Sequence, residues 1–299
     1  MTFSASGVAA LPRPSPEFPR RVLSATIDLG DRSALEKVFQ EWIDRPIGEV
    51  LDLERWLLDI SEIFAAISEE RSRRYIAMTC ATEDTAAEKA YLSFVETVQP
   101  LWKSSGFAIE KKLLEHPACA ALPLPRYAVL LRDARNQVEL FREENLPLET
   151  ELSRMAQQYQ KLCGAMTVEH RGEKRTLPQM AVHLQDPDRE TRREAWTLIT
   201  RRRLQDRDAL ENLFDRMLEV RGQVAKNAGF ANYRDYMFRR LGRFDYTPAD
   251  CETYHRAVEQ IVVPAYRETL ARRAEAMGTD RLRPWDLAQD PLGRPPLKP

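Results

Sequence analysis

The sequence predicts an all-α, predominantly helical protein with one short β-hairpin near residues 165–176. Three observations predict it. Glycine is scarce, at 11 of 299 residues. Apolar residues recur at three-to-four spacing along most of the chain, the period of a helix with one buried face. Alternating runs with the period of a strand are rare, which disfavours a sandwich or barrel. With 43% hydrophobic residues, the chain can bury a substantial core.

The elements follow in order. Pro12, Pro14, Pro16 and Pro19 break up the N-terminus, and no basic start precedes an apolar core. Residues 1–23 therefore read as a flexible arm and not as a signal peptide. Ser33-Ala34-Leu35-Glu36 has the capping-box pattern, and Leu35, Val38, Phe39 and Trp42 continue at helical spacing until Pro46. Leu53, Trp56, Leu57, Ile60, Ile63, Phe64 and Ile67 form the stripe of a longer helix. Residues 70–115 predict two helical stretches broken at Pro100. A proline-bearing connector over 119–126 leads to a helix with Tyr127, Leu130, Leu131, Ala134, Val138 and Phe141. Leu146-Pro147 interrupts, and a helix from about Glu149 carries Leu152, Met155, Tyr159 and Leu162.

The period then changes. Alternation on both sides of His170-Arg171-Gly172 is a hairpin signal. Thr176 can cap a short helix, and Asp186-Pro187 reads as a cap and first residue of the next one, which buries Ala195, Trp196 and Ile199. A long helix from about Asp206 to Asn227 ends at Gly229. A short helix carries Tyr233, Tyr236, Met237 and Leu241. Thr247-Pro248-Ala249-Asp250 starts another, running to Gly278 with a kink at Pro264. The tail from Leu282 is proline-rich and shows no packing pattern. No fixed-period repeat occurs, which disfavours a helical repeat array. The expected organisation is the arm, a helical domain over 24–205, and a further helical segment over 206–299.

Composition excludes several functions. The 45 basic and 46 acidic residues leave a net charge of −1, so no broad attraction to nucleic acid or anionic membrane is expected. No apolar run approaches the ~18 residues of a membrane span. Four cysteines at wide, irregular spacings, with no Cys-x-x-Cys pair, predict neither a disulfide framework nor a zinc knuckle. A reducing, cytoplasmic setting is expected.

Candidate chemistry is sparse. No two of His116, His170, His183 and His255 stand four apart, so the His-Glu-x-x-His arrangement of two imidazoles on one helical turn does not occur. His255 and Glu259 share a helix face but lack a third ligand nearby. Glu143-Glu144 and the pair Asp186 and Asp188 read as solvated or capping acids. Cys163 has no assignable histidine partner, and no Gly-x-Ser-x-Gly elbow, phosphate loop or dinucleotide fingerprint occurs. No catalytic, cofactor-binding or metal residue is predicted.

A resemblance enters at about residue 160. Tyr159-Gln160-Lys161-Leu162-Cys163-Gly164-Ala165-Met166-Thr167-Val168 leads into the hairpin and Thr176-Leu177-Pro178-Gln179-Met180. Asp188-Arg189-Glu190-Thr191-Arg192-Arg193-Glu194-Ala195 follows, then Ala228-Gly229-Phe230-Ala231-Asn232-Tyr233-Arg234-Asp235-Tyr236, and Leu282-Arg283-Pro284-Trp285-Asp286-Leu287. This ordered set resembles the oligoendopeptidase F branch of the thimet-oligopeptidase family of zinc metallopeptidases. The resemblance is strong over about 150–295 and pattern-level before that.

The resemblance implies a helical ellipsoid whose channel admits oligopeptides, cut by a zinc-bound water. In the family, zinc is held by His-Glu-x-x-His and a more distant glutamate, downstream of the Arg-Pro-Trp-Asp segment. This sequence reaches Pro299 before any such motif, so no zinc ligand or general base carries over, and this chain is expected to bind none. What carries over is the N-terminal helical domain and the opening helices of the catalytic domain. The implied role is the N-terminal, channel-forming portion of a zinc oligoendopeptidase, inactive alone, whose partners are oligopeptides and a C-terminal catalytic segment. The alternative is a non-enzymatic helical peptide-binding module. On the first reading, Val220, Val224, Tyr236, Val258 and Ile261 should be partly uncovered.

Overall fold

The computed structural model describes residues 20–24 and 26–294. Eleven α-helices and one hairpin account for most of them. The first nineteen residues of the expected arm lie outside the described residues. Its last three are fixed: the Glu62 carboxylate accepts the N–H groups of Arg21, Val22 and Leu23 at 3.0, 2.9 and 3.2 Å, and Leu23 is buried.

The chain divides into two compact units. Unit 1 comprises 1–156 and 219–242. It opens with α1 (Arg32–Asp44), α2 (Val50–Cys80) and α3 (Thr85–Glu115). Leu35, Phe39 and Trp42 of α1, the α2 stripe from Leu53 to Ile67, and Phe94, Val98 and Leu101 of α3 form the main apolar core. Two hydrogen bonds tie α1 to this core. The Trp56 indole N–H donates to the Trp42 carbonyl at 3.0 Å, and Lys112 Nζ donates to the Ile43 carbonyl at 2.6 Å, closing the α1 C-terminus.

Two expectations fail here. The cap of α1 is Asp31, not Ser33: its carboxylate accepts the N–H groups of Ser33 and Ala34. Ser33 sits inside the first turn, because an acid two residues upstream reaches the same orphan donors. The expected break at Pro100 does not occur either, since α3 runs through it. Val98 and Leu101 on either side are buried, and that packing outweighs a local cost of ~3 kcal/mol for a helical proline.

The next elements are α4 (Leu124–Leu140) and α5 (Asn145–Gly164); α5 crosses the unit boundary. Segment 219–242 holds the end of α8 (Arg207–Asn227) and α9 (Tyr233–Arg240). Gly229, at φ 82°, ends α8: the Phe230 N–H reaches back to the Ala225 carbonyl and the Gly229 N–H to Lys226. Val224, Ala225, Ala228 and Tyr236 pack with Leu140, Leu148 and Leu152 in a second apolar cluster. Val224 and Tyr236 are thus buried, against the expectation that they would be partly uncovered. Their partners come from α4 and α5, within the same unit.

Unit 2 comprises 157–218 and 243–299. Its hairpin joins β1 (Thr167–His170) to β2 (Glu173–Thr176), with Thr167 opposite Thr176 and His170 opposite Glu173. Arg171 and Gly172 both take positive φ, at 54° and 82°, as a two-residue hairpin turn requires. Thr176 and Gln179 form a capping box on α6 (Leu177–Met180). The next helix, α7 (Arg189–Gln205), is capped by Asp188 instead of Asp186, because Asp188 reaches the Thr191 N–H at 2.8 Å.

A second capping box, Thr247 with Asp250, starts α10 (Pro248–Ala257). A five-residue stretch of π-helix, Val258–Val262, joins it to α11 (Val263–Ala276). The wider turn immediately precedes Pro264 and is where the expected irregularity falls. Ile261 is exposed, as expected. The tail does pack, against expectation: Pro284–Asp286 form a short 3-10 turn in which Asp286 is fully buried. No helix of the described residues is long and apolar enough to cross a membrane.

Candidate functional site

Within unit 1, α2, α3, α4, α5 and α9 surround a cavity of about 570 Å³. One part of the wall is aromatic, with Phe64, Trp102, Phe107 and Phe141; the Phe107 and Phe141 rings stack with centroids 4.2 Å apart. Gly106 keeps the adjoining wall low. The other part is charged. Arg71 comes from α2, Lys103 and Glu110 from α3, Glu149 from α5 and Arg240 from α9. Polar clamps bring the distant segments together: Asn145 Nδ2 donates to the Val224 carbonyl at 3.1 Å, and Asn136 Nδ2 to the Arg239 carbonyl at 2.8 Å.

The charges are not equally matched. Lys103 Nζ donates to Glu149, and the Tyr236 hydroxyl approaches the other Glu149 oxygen at 3.5 Å. Burial pushes the Tyr236 phenol up to about 12, with the Glu149 charge adding to it. Burial also pulls the Lys103 ammonium below its ordinary value, against the pull of Glu149. Arg71 donates through Nε to Gln99 Oε1 at 3.1 Å, and Arg240 through Nη1 to Gln137 Oε1 at 3.0 Å. Among the described residues neither guanidinium has a carboxylate within ion-pair distance. Burial raises the Glu110 carboxyl to about 7, opposed by the Arg240 charge. Glu110 makes no hydrogen bond among the described residues.

The structure gives the histidines and acids singled out in the sequence local roles. His116 caps the turn that follows α3, its Nδ1 accepting from the Ala118 N–H at 3.2 Å. His170 is buried, its ring centroid 4.5 Å from that of His183. Asp188 caps α7, Asp186 accepts the Asp188 N–H, and Glu143 and Glu144 are exposed. His255 lies on α10 and Glu259 in the π-helical stretch. Among the described residues no three His, Cys, Asp or Glu side chains are grouped to hold a metal ion. The described residues by themselves therefore do not make up a zinc centre.

Sequence reasoning misses two constellations. One is the cavity set above. Its signals are Gln99 amid the apolar stripe of α3, buried at 6% exposure, and Glu110 directly after Ile109. The other is in unit 2, where Asp286 accepts from Arg189 Nη2 at 2.8 Å and Arg192 Nη2 at 3.2 Å. Arg192 also donates to the carbonyls of Asp186, Pro187 and Trp285. The Arg189 hydrogen bond, helped by the Arg283 N–H and Arg192, holds the Asp286 carboxyl down at about 2. Only the Arg-Pro-Trp-Asp segment hints at it.

Comparison with known proteins fits these features. A model of the peptidase M3 N-terminal domain matches residues 27–141, and one of peptidase family M3 matches 182–291. Among solved structures, one assigned as oligoendopeptidase F, its crystals grown by microfluidic seeding, is similar at a TM-score of 0.84 and 26% identity, over 89% of this chain and 47% of that one. One assigned as oligoendopeptidase F from Bacillus anthracis gives 0.82 and 22%, over 90% and 49%. Pz peptidase A solved with an inhibitor gives 0.82 and 21%, over 93% and 49%. No curated protein matches the sequence significantly. Both family models describe peptidases. The chain belongs to peptidase family M3, in its oligoendopeptidase F branch. It spans about half the length of the solved structures it matches.

Proposed function

We propose that this chain forms the N-terminal, channel-forming portion of a zinc-dependent oligoendopeptidase that hydrolyses short peptides in the cytoplasm. The observation that carries the reading is the pairing of two M3 family models on one chain, with structural likeness over about half of each neighbour. Zinc chemistry then belongs to a C-terminal catalytic segment, which supplies the metal ligands and the general base. Residues 24–205 act as the N-terminal domain, and residues from 206 begin the catalytic one. The exposed apolar residues Tyr254, Ile261, Val262 and Tyr266 on α10, the π-helical stretch and α11 support a segment packing there.

The test is an internally quenched oligopeptide assay on the pure chain, with and without added zinc. No turnover is expected alone, and chelator-sensitive turnover is expected once the chain is joined to a family segment bearing His-Glu-x-x-His. Chelator-sensitive turnover by the chain by itself would overturn the division of labour proposed.

A further inference from the structure

The cavity of unit 1 is built for a ligand of definite charge pattern. Lys103 and Glu149 neutralise each other, and Tyr236 adds to Glu149. That leaves the guanidinium groups of Arg71, bonded to Gln99 and the Tyr91 phenol, and of Arg240, bonded to Gln137, all neutral partners, and the Glu110 carboxyl, which makes no hydrogen bond among the described residues. Arg240 and Glu110 feel each other's charge but form no direct ion pair, and partly buried charges without a bonded counter-charge are costly and occur at ligand sites. A guanidinium fork matches a carboxylate in geometry as well as charge. A carboxylate with no donor matches an ammonium group. The aromatic wall of Phe64, Trp102, Phe107 and Phe141 takes an apolar side chain. The volume, about 570 Å³, lies within the range that encloses small organic ligands.

We propose that this cavity binds a free amino acid or short unblocked peptide as a zwitterion: carboxylate on Arg71 and Arg240, ammonium on Glu110, apolar side chain on the aromatic wall. The inference does not depend on the peptidase reading. Glu110 must be ionised to accept an ammonium. The groups facing the cavity around it are Arg71 from α2, Lys103 from its own helix, Arg142 and Glu149 from α5 and its approach, and Arg240 from α9. Because burial holds Glu110 near 7, ligand binding at neutral pH drives a proton off it, and affinity rises with pH through about 7.

Isothermal titration of the full chain with leucyl-phenylalanine tests this, beside N-acetyl-leucyl-phenylalanine, which lacks the ammonium, and leucyl-phenylalanine amide, which lacks the carboxylate. The free dipeptide is expected to bind, and each blocked form to bind about tenfold or more weakly. Titration at pH 7 in buffers of different ionisation enthalpy should show proton release, absent in Glu110→Gln. Arg71→Gln and Arg240→Gln should each weaken the free dipeptide by a similar factor. Equal binding of the acetylated and free forms would overturn the proposal, as would proton uptake. Unchanged affinity in both arginine variants would also overturn it, since the dipeptide would then be held elsewhere. No heat at millimolar dipeptide would do the same, and the blocked probes test the charge pattern without relying on any variant's folding.

Discussion

The two units of this chain solve the problem of burial differently. Unit 1 contains all three apolar clusters found among the described residues, and its main core draws on α1, α2, α3 and the start of α4. Unit 2 buries few apolar side chains, chiefly Met166, Leu177, Met180, Ala195 and Leu213. It also buries a charge: Asp286, fully buried, held by Arg189 and by Arg192, which is itself 2% exposed. Unit 1 keeps its unmatched charges around a cavity, where a ligand can reach them. Unit 2 uses its charges to anchor the 284–286 turn to α7. Hydrophobic burial is tolerant of small errors, because it scales with area. A buried ion pair is not, because removing one partner strands the other.

The largest expected effect follows from that contrast. Asp286→Ala leaves the Arg192 guanidinium buried without its carboxylate, and the expected loss is about 3–5 kcal/mol. Thermal unfolding measures it, and amide exchange locates it. Exchange should accelerate in α7 and around 283–287 and stay slow in α2 and α3. Uniform acceleration through both units would erase the distinction drawn between them. The carboxyl also carries a pH dependence. Its folded value, about 2, lies below the ordinary 3.8, so the stability it confers is present above 3.8 and is lost as pH falls through about 2.

Much of this architecture is legible in the sequence because helices advertise themselves by period. The stripes of α1, α2 and α4, the cap Thr247 with Pro248, the stop at Gly229 and the Arg171-Gly172 turn all depend on neighbours within a few residues. The two misplaced caps, Ser33 for Asp31 and Asp186 for Asp188, are local slips of two residues, but the larger failures share one cause, a distant partner. Pro100 does not break α3, because long-range packing around Val98 and Leu101 holds the helix together. The tail does not trail, because Asp286 meets arginines ninety-odd positions away. The cavity is the extreme case. Arg71, Glu110, Glu149 and Arg240 occupy four helices, and each alone reads as an ordinary solvated charge.

The second effect sharpens the comparison from the side of unit 1. The Glu110 carboxyl is raised to about 7 from an ordinary 4.5. Its contribution to stability is therefore fully present below 4.5 and is lost as pH rises through about 7. Glu110→Gln mimics the neutral form at every pH. The variant should match the parent near pH 4 and exceed it by about 2 kcal/mol at pH 8, after discounting for the group's residual solvent contact. Denaturant midpoints at the two pH values check this. A constant difference between the proteins would show that Glu110 titrates as an exposed carboxylate does.

The smallest effect compares like with like. Asp31 caps α1 in unit 1 and Asp188 caps α7 in unit 2, each accepting an orphan N–H at 2.8 Å. Replacing either by alanine should cost about 1 kcal/mol, the usual value of such a cap, and Ser33→Ala should cost little, because Ser33 is not the cap. The two losses should surface differently. Leu35, Phe39 and Trp42 lock α1 into the main core, so its first turn cannot open without disturbing that core. Asp31→Ala should therefore lower the global unfolding midpoint. Behind Asp188 stands Arg192, whose bonds to the carbonyls of Asp186 and Pro187 hold the start of α7 even when the cap is gone. Asp188→Ala should then appear mainly as faster exchange of the amides it capped, around Thr191, with a smaller shift in the midpoint. If Asp188→Ala instead moved the midpoint as far as Asp31→Ala does, the guanidinium of Arg192 would not be securing that turn, and the account of unit 2 as a structure organised around its buried charges would lose its main support.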